Sequence, residues 1–183
     1  MIITITGKPC SGKGTVGKLF CKKFNFQYIS TGDMFREASK KYSFDSITEF
    51  NKDERIKKID AEIDNNTIKI GKTKLKEDIM IDSRLAWHFI PKSYKVFLDV
   101  KWQTAGERLI TANREEEQVS DLKTSVKNLK TRWKLENSRY QELYSTDNLN
   151  KKNYNLVVKT DDKTAEQIVE IIYKNYKKFM QNA

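Results

Sequence analysis

The opening stretch, MIITITGKPCSGKGTVGKLF, constrains the fold more than any other part of the chain. Ile2–Thr6 is β-branched and alternates little between apolar and polar, as a strand buried on both faces does. Gly7, Lys8, Pro9, Cys10, Ser11, Gly12 and Lys13 follow with the spacing G-x-x-x-x-G-K. Lys13–Phe24 then reads as an amphipathic helix, with Val16, Leu19, Phe20 and Phe24 on one face. Glycines let backbone N–H groups turn inward around an anion, and the helix N-terminus adds its partial positive charge. A chance Gly-rich turn gives the same letters; the strand before and the helix after set this one apart as a phosphate cradle, with Lys13 reaching the outer phosphates. The usual hydroxyl after the lysine is replaced by Gly14, and Thr15 comes one position late.

The rest of the chain alternates in the same way. Strands are expected at Phe26–Ile29, Ile79–Ile81, Lys95–Val100 and Leu156–Lys159. Helices are expected at Thr31–Lys40, Ser46–Ile70, Thr104–Arg114, Ser120–Tyr144 and Thr164–Met180. Ser46 with Glu49, and Thr164 with Gln167, have the capping-box pattern. Such alternation predicts a three-layer α/β fold whose five-stranded parallel sheet is covered on both sides. A chain of 183 residues is most simply one domain over 1–183. The helical segment 31–70 and a short lid at about 114–120 are excursions from its core.

Charge narrows the partners. The chain carries 35 Lys and Arg against 25 Asp and Glu, a formal charge of +10, which favours anionic ligands. Many lysines, as in IKKID and YKKF, fall on polar helix faces, whereas the arginines cluster near motifs. Two cysteines and one histidine make neither a disulfide framework nor a zinc site. No leader pattern is visible, and no apolar run approaches the roughly 20 residues of a membrane span. The expectation is a cytoplasmic monomer with no membrane and no stable nucleic-acid partner.

Three further segments carry candidate chemistry. Ser30-Thr31-Gly32-Asp33-Met34-Phe35-Arg36 follows the second strand; Asp33 suits a first helical turn and Arg36 lies about one turn on. Ile79–Asp82 is an apolar strand ending in an acid, with Arg84 two residues beyond. Ligands of open parallel sheets bind at the carboxyl ends of strands, where Asp82 can orient a magnesium-bound water. Arg132, Glu136 and Arg139 share one helical face. On spacing alone that face is equally a solvated ladder of ion pairs.

Taken together these segments resemble the cytidylate kinase family, in its short archaeal-type and bacterial-type branch. The GKGT ending of the cradle is similar to that of nucleoside monophosphate kinases, and ISTGDMFRE to the STGDM-x-R segment of adenylate kinase relatives. The resemblance also takes in Ile79–Pro91, VFLDV at Val96–Val100, REEE at Arg114–Glu117 and ENSRYQELY at Glu136–Tyr144. It implies a P-loop NTPase fold and transfer of the γ-phosphate of ATP to CMP or dCMP, assisted by Mg²⁺. By it, residues Gly7 to Thr15 hold ATP, and Thr15 and Asp82 help hold the metal. Thr31, Asp33, Arg36, Arg84, Arg132, Glu136 and Arg139 bind the acceptor. Arg108 and Arg114 resemble lid arginines that join Lys13, Arg84 and Arg132 around the transferring group; as plain sequence they fit a charged helix surface equally well. Two positions depart from the family pattern. Glu136 stands where the helix face R-x-x-x-D-x-x-R has aspartate. Leu85 stands where the longer bacterial enzymes place an aspartate that reads cytosine, a trait shared by the short branch, so the base reader is blank. An adenylate-type kinase, a basic nucleic-acid-binding module and an ATP-dependent assembly factor without kinase activity are the rival readings.

Overall fold

The computed structural model describes residues 1–41, 56–73, 77–112 and 121–182. The expected helix start at Ser46, with Glu49, and the expected lid at about 114–120, with Arg114, lie outside them.

Five parallel strands form one sheet: β1 (Ile2–Gly7), β2 (Gln27–Ser30), β3 (Ile79–Asp82), β4 (Tyr94–Asp99) and β5 (Leu156–Lys159), in the order β2-β3-β1-β4-β5. The central strand β1 is buried along its whole length, which is why its sequence is β-branched rather than alternating. Its polar side chains are partnered: Thr4 Oγ1 lies 3.1 Å from Ser93 Oγ, and Thr6 Oγ1 donates to the Arg84 carbonyl at 3.4 Å.

Helices cover both faces. They are α1 (Lys13–Phe24), α2 (Thr31–Lys41), α3 (Ile56–Lys72), α4 (Ala86–Phe89), α5 (Trp102–Ala112), α6 (Leu122–Tyr144) and α7 (Ala165–Gln181), with a 3₁₀ turn at Lys151–Asn153. On one face Ile3, Ile5, Val96 and Leu98 pack against Val16 and Phe20 of α1 and Ile168, Val169 and Ile172 of α7. On the other, Ile2, Ile79 and Ile81 meet Ala86 and Ile90, while Phe97 meets Trp87, Trp133 and Tyr154. No described helix is long and apolar enough to cross a membrane.

Most expected elements are present with shifted ends. The Thr164–Gln167 capping box closes as expected, with bonds of 3.2 and 2.9 Å. α6 begins later than expected because Asp121 caps it, accepting from the Thr124 amide at 2.9 Å. α4 was not expected; four residues are too few to display a helical period.

Strand register fixes the location of the site. Ile5 and Ser30 pair with Asp82, Gly7 with Leu98, and Asp99 with Lys159. All five carboxyl ends therefore share one edge. The chain reverses its direction of sheet growth around β1, which opens a crevice there.

Candidate active site

The loop between β1 and α1 is built by close approach. A Cβ on Gly7 would lie 2.2 Å from the Leu98 carbonyl oxygen, so only glycine fits beside β4. Gly12, at φ 89°, turns the chain into α1 in a left-handed conformation. No side chain caps α1 and no acid sits in its first turn, which leaves its amide N–H groups and dipole open to an anion. The Lys13 ammonium folds back onto the carbonyls of Gly7 and Lys8, at 3.2 and 3.1 Å. Burial, and then the nearby Arg84 charge, lower its pKa to about 7.

A cavity of about 550 Å³ runs from this loop along the carboxyl edge of the sheet. Pro9, Cys10, Ser11, Gly12, Lys13, Gly14 and Thr15 line its donor end. Thr31, Asp33, Arg36, Asp82, Arg84, Arg132, Glu136 and Arg139 line the remainder, so the three separate segments face one space.

Arg84 is the hub. Ser83 Oγ accepts from the amides of Leu85 and Ala86, both at 3.2 Å, and starts α4. Trp87 Nε1 donates to the Arg84 carbonyl at 3.1 Å and to Asn148 Oδ1 at 2.9 Å, which locks the turn. From it the Arg84 guanidinium donates to the Gly7 carbonyl and, through Nε at 2.9 Å, to Glu136 Oε2. Arg132 Nε donates to Glu136 Oε1, also at 2.9 Å. Burial alone would raise the Glu136 carboxyl; Arg84 and Arg132 outweigh it and hold its pKa down to about 2. The ladder on α6 is thus a buried clamp, with Glu136 5% exposed, rather than a solvated one.

Asp82 accepts from the Tyr28 hydroxyl at 2.9 Å, and Thr31 Oγ1 donates to the Asp82 carbonyl at 3.3 Å. Asp33 pairs with Arg36 on α2. Burial works against ionisation of Asp33, but the Arg36 contact leaves its pKa below the usual carboxylate value.

Three expected residues sit differently. Gly7 supports the loop from beneath, and neither it nor Lys8 lines the cavity. Lys8 points to the opposite side, where its ammonium meets Asp99 Oδ1 at 2.8 Å and the Val100 carbonyl at 2.9 Å, 5.1 Å from the Trp102 ring centroid. Arg108 is likewise outside the lining and donates to the Thr160 carbonyl at 2.6 Å and to the Cys10 carbonyl at 3.4 Å. It braces the donor loop against the end of β5.

Sequence reasoning missed Tyr28, Asp60, Asp64 and Tyr140, all on the cavity wall. Asp60 Oδ2 lies 2.6 Å from Arg139 Nε, and Tyr144 donates to Asp64 Oδ2. The signal for the two acids is present in IKKIDAEIDNNTIKI: they fall on the buried stripe of α3 with Ile56, Ile59 and Thr67. Acids on an apolar stripe are uncommon unless partnered.

The chain is similar to several known proteins. A cytidylate kinase of Methanocaldococcus jannaschii is 30% identical over 94% of this chain and 95% of its own length. An S-adenosylmethionine-dependent nucleotide dehydratase of Lacinutrix mariniflava is 36% identical over 96% of this chain. The chain spans only 36% of that longer protein. Among solved structures, shikimate kinase from Bacteroides thetaiotaomicron superposes with a TM-score of 0.62 at 14% identity, over 97% of this chain and 98% of its own, so the two share a fold. The sequence pattern of the cytidylate kinase-like family matches residues 2–162, and the chain belongs to that family.

Proposed function

We propose that the protein transfers the γ-phosphate of ATP to CMP or dCMP, giving ADP and CDP or dCDP. One observation carries this reading: Lys13 on the loop, Arg84 at the end of β3 and Arg132 on α6 face a single cavity. Phosphoryl transfer needs in-line positioning and neutralised charge more than covalent chemistry, and this is a site of converging cations. The similarity to the Methanocaldococcus jannaschii cytidylate kinase supports CMP as acceptor. The dehydratase relative, a longer protein, is also named for a nucleotide.

In this reading Lys13 and the backbone N–H groups of the loop from Cys10 to Thr15 hold the donor phosphates. Arg36, Arg84 and Arg132 hold the acceptor phosphate, Glu136 the sugar, and Arg139 the far side of the acceptor, with Thr31 and Asp33 shaping the start of α2. Glu136 now occupies both Arg84 and Arg132, so an entering phosphate would compete with it for the two guanidinium groups. The Thr15 hydroxyl and Asp82 carboxylate are hard oxygen donors lining the same cavity and suit Mg²⁺. Among the described residues no group of three His, Cys, Asp or Glu could hold a metal, so these two would hold the ion together with nucleotide phosphates. When bound, Mg²⁺ supplies charge neutralisation on the transferring phosphates. Residues 1–183 act as one kinase unit, with Thr31, Asp33 and Arg36 of α2 and Asp60 and Asp64 of α3 on the acceptor side. The same reading makes the protein a monomer working on free nucleotides in the cytoplasm.

The test is ADP release in a coupled assay with CMP, dCMP, UMP and AMP. Release dependent on CMP or dCMP supports the proposal. Preference for AMP overturns the base assignment, and no acceptor-dependent release overturns kinase activity.

A further inference from the structure

Leu85 is buried, 2% exposed, and offers no hydrogen bond to a base. Polar groups that line the cavity beyond Glu136 come instead from Asp60 and Asp64 of α3 and Arg139 and Tyr140 of α6. Reading along α6 orders the wall. Arg132 and Glu136 adjoin Arg84, whose guanidinium touches the Gly7 carbonyl of the phosphate loop. Arg139 lies seven residues beyond Arg132, about 10 Å at the helical rise, and meets Asp60. Asp64 is roughly one turn further along α3. A nucleoside monophosphate with its phosphate at Arg84 and Arg132 carries its base toward this end.

We propose that Asp64 reads the acceptor base, accepting a hydrogen bond from the exocyclic amino group of cytosine and rejecting the keto oxygen that uracil has there. The inference rests on the nucleotide-acceptor reading above. Carboxylates accept from cytosine N4 and oppose another acceptor. Asp64 is 9% exposed and lines the cavity. Its Oδ2 accepts from the Tyr144 hydroxyl, and among the described residues no donor reaches its Oδ1. Tyr144 is itself seated edge-on against Phe89, with ring centroids 5.1 Å apart. Asp64 is thus aimed by a fixed partner that occupies one of its two oxygens. Asp60, Arg139 and Tyr144 are the charged and titratable groups that act on it. Burial, the largest influence, raises its pKa to about 6, so it is mostly ionised at neutral pH.

The experiment is equilibrium binding of CMP and of UMP, without ATP, to wild type, Asp64→Asn and Tyr144→Phe at neutral pH. Wild type should bind CMP at least about tenfold more tightly than UMP, the worth of one good base contact. Asp64→Asn should narrow that ratio to within about threefold, because an amide can face either base. Tyr144→Phe keeps the ring, removes the aiming bond, and should narrow the ratio part of the way. A role in folding alone would weaken both ligands equally. An equal preference in wild type, or an unchanged ratio in the variants, overturns the proposal; if Asp64→Asn does not fold, the Tyr144→Phe ratio decides. Selective binding of CMP without phosphoryl transfer would defeat the kinase reading while leaving this one standing.

Discussion

Arg84 and Glu136 form a buried ion pair, Nε to Oε2 at 2.9 Å, that joins the end of β3 to the middle of α6. Arg132 meets the other oxygen of the same carboxylate. Glu136→Gln keeps the shape and removes the charge that Arg84 and Arg132 share. Breaking a buried pair typically costs about 3–5 kcal/mol. The expected outcome is a melting temperature lowered by several degrees, together with a larger upward shift on adding inorganic phosphate than wild type shows. A phosphate response no larger than wild type's would mean that the arginines are not aimed at an anion.

Two buried carboxylates make stability depend on acid in opposite senses. Glu136 is held at about 2 against 4.5 for the free side chain, so its contribution is present above about 4.5 and is lost as pH falls toward 2. Asp64 is raised to about 6 from 3.8, so the contribution of its protonated form is full below about 3.8 and is lost as pH rises through 6. Denaturant unfolding from pH 3 to 7 should therefore show Asp64→Asn flattening the fall between about 4 and 6. Glu136→Gln should flatten the acid limb instead.

How legible was the site beforehand? The donor end was written locally. Gly7, Gly12 and Lys13 follow a buried strand and open a helix, and each consequence depends on neighbours a few residues away. The parallel sheet was legible for the same reason, because alternating strand and helix periods need no long-range knowledge. The acceptor end was not. Whether Arg132, Glu136 and Arg139 were a solvated ladder or a buried clamp depended on Arg84, some fifty residues earlier. Lys8 looked like any cradle residue until β4 brought Asp99 to it. Asp60 and Asp64 broke the apolar stripe of α3, but only the fold supplies Arg139 and Tyr144 as the partners that make their burial tolerable.

Lys13 is poised to take up a proton when it meets phosphate. Its pKa of about 7 in the unliganded site follows from burial and from Arg84, and a polyphosphate beside it favours the ammonium form. ATP should therefore bind with net proton uptake above about pH 7, and its affinity should weaken as pH rises from 7 to 9. Calorimetry in buffers of different ionisation enthalpy measures that uptake directly. Lys13→Ala should abolish it, lower turnover by orders of magnitude and leave the fold intact. A wild-type protein that binds ATP without taking up a proton would show Lys13 to be charged before the nucleotide arrives.

Gly17 connects α1 to Asp82 through Tyr28. A Cβ at Gly17 would lie 2.5 Å from Tyr28 Cε2, and the Tyr28 hydroxyl donates to Asp82 Oδ2 at 2.9 Å. Alanine is the better helix former by about 1 kcal/mol, so propensity alone predicts a more stable protein from Gly17→Ala. The added methyl instead pushes the ring aside and withdraws the hydroxyl from Asp82. A hydrogen bond to a charged group is worth about 1.5–3 kcal/mol. Turnover should accordingly fall about tenfold or more, with a much smaller change in melting temperature. Tyr28→Phe removes the same bond without the clash and should reproduce the loss. If both act through Asp82, the double variant is no slower than the worse single one. Losses that simply multiply would place the effect of Gly17→Ala in the packing of α1 rather than at the carboxyl end of β3.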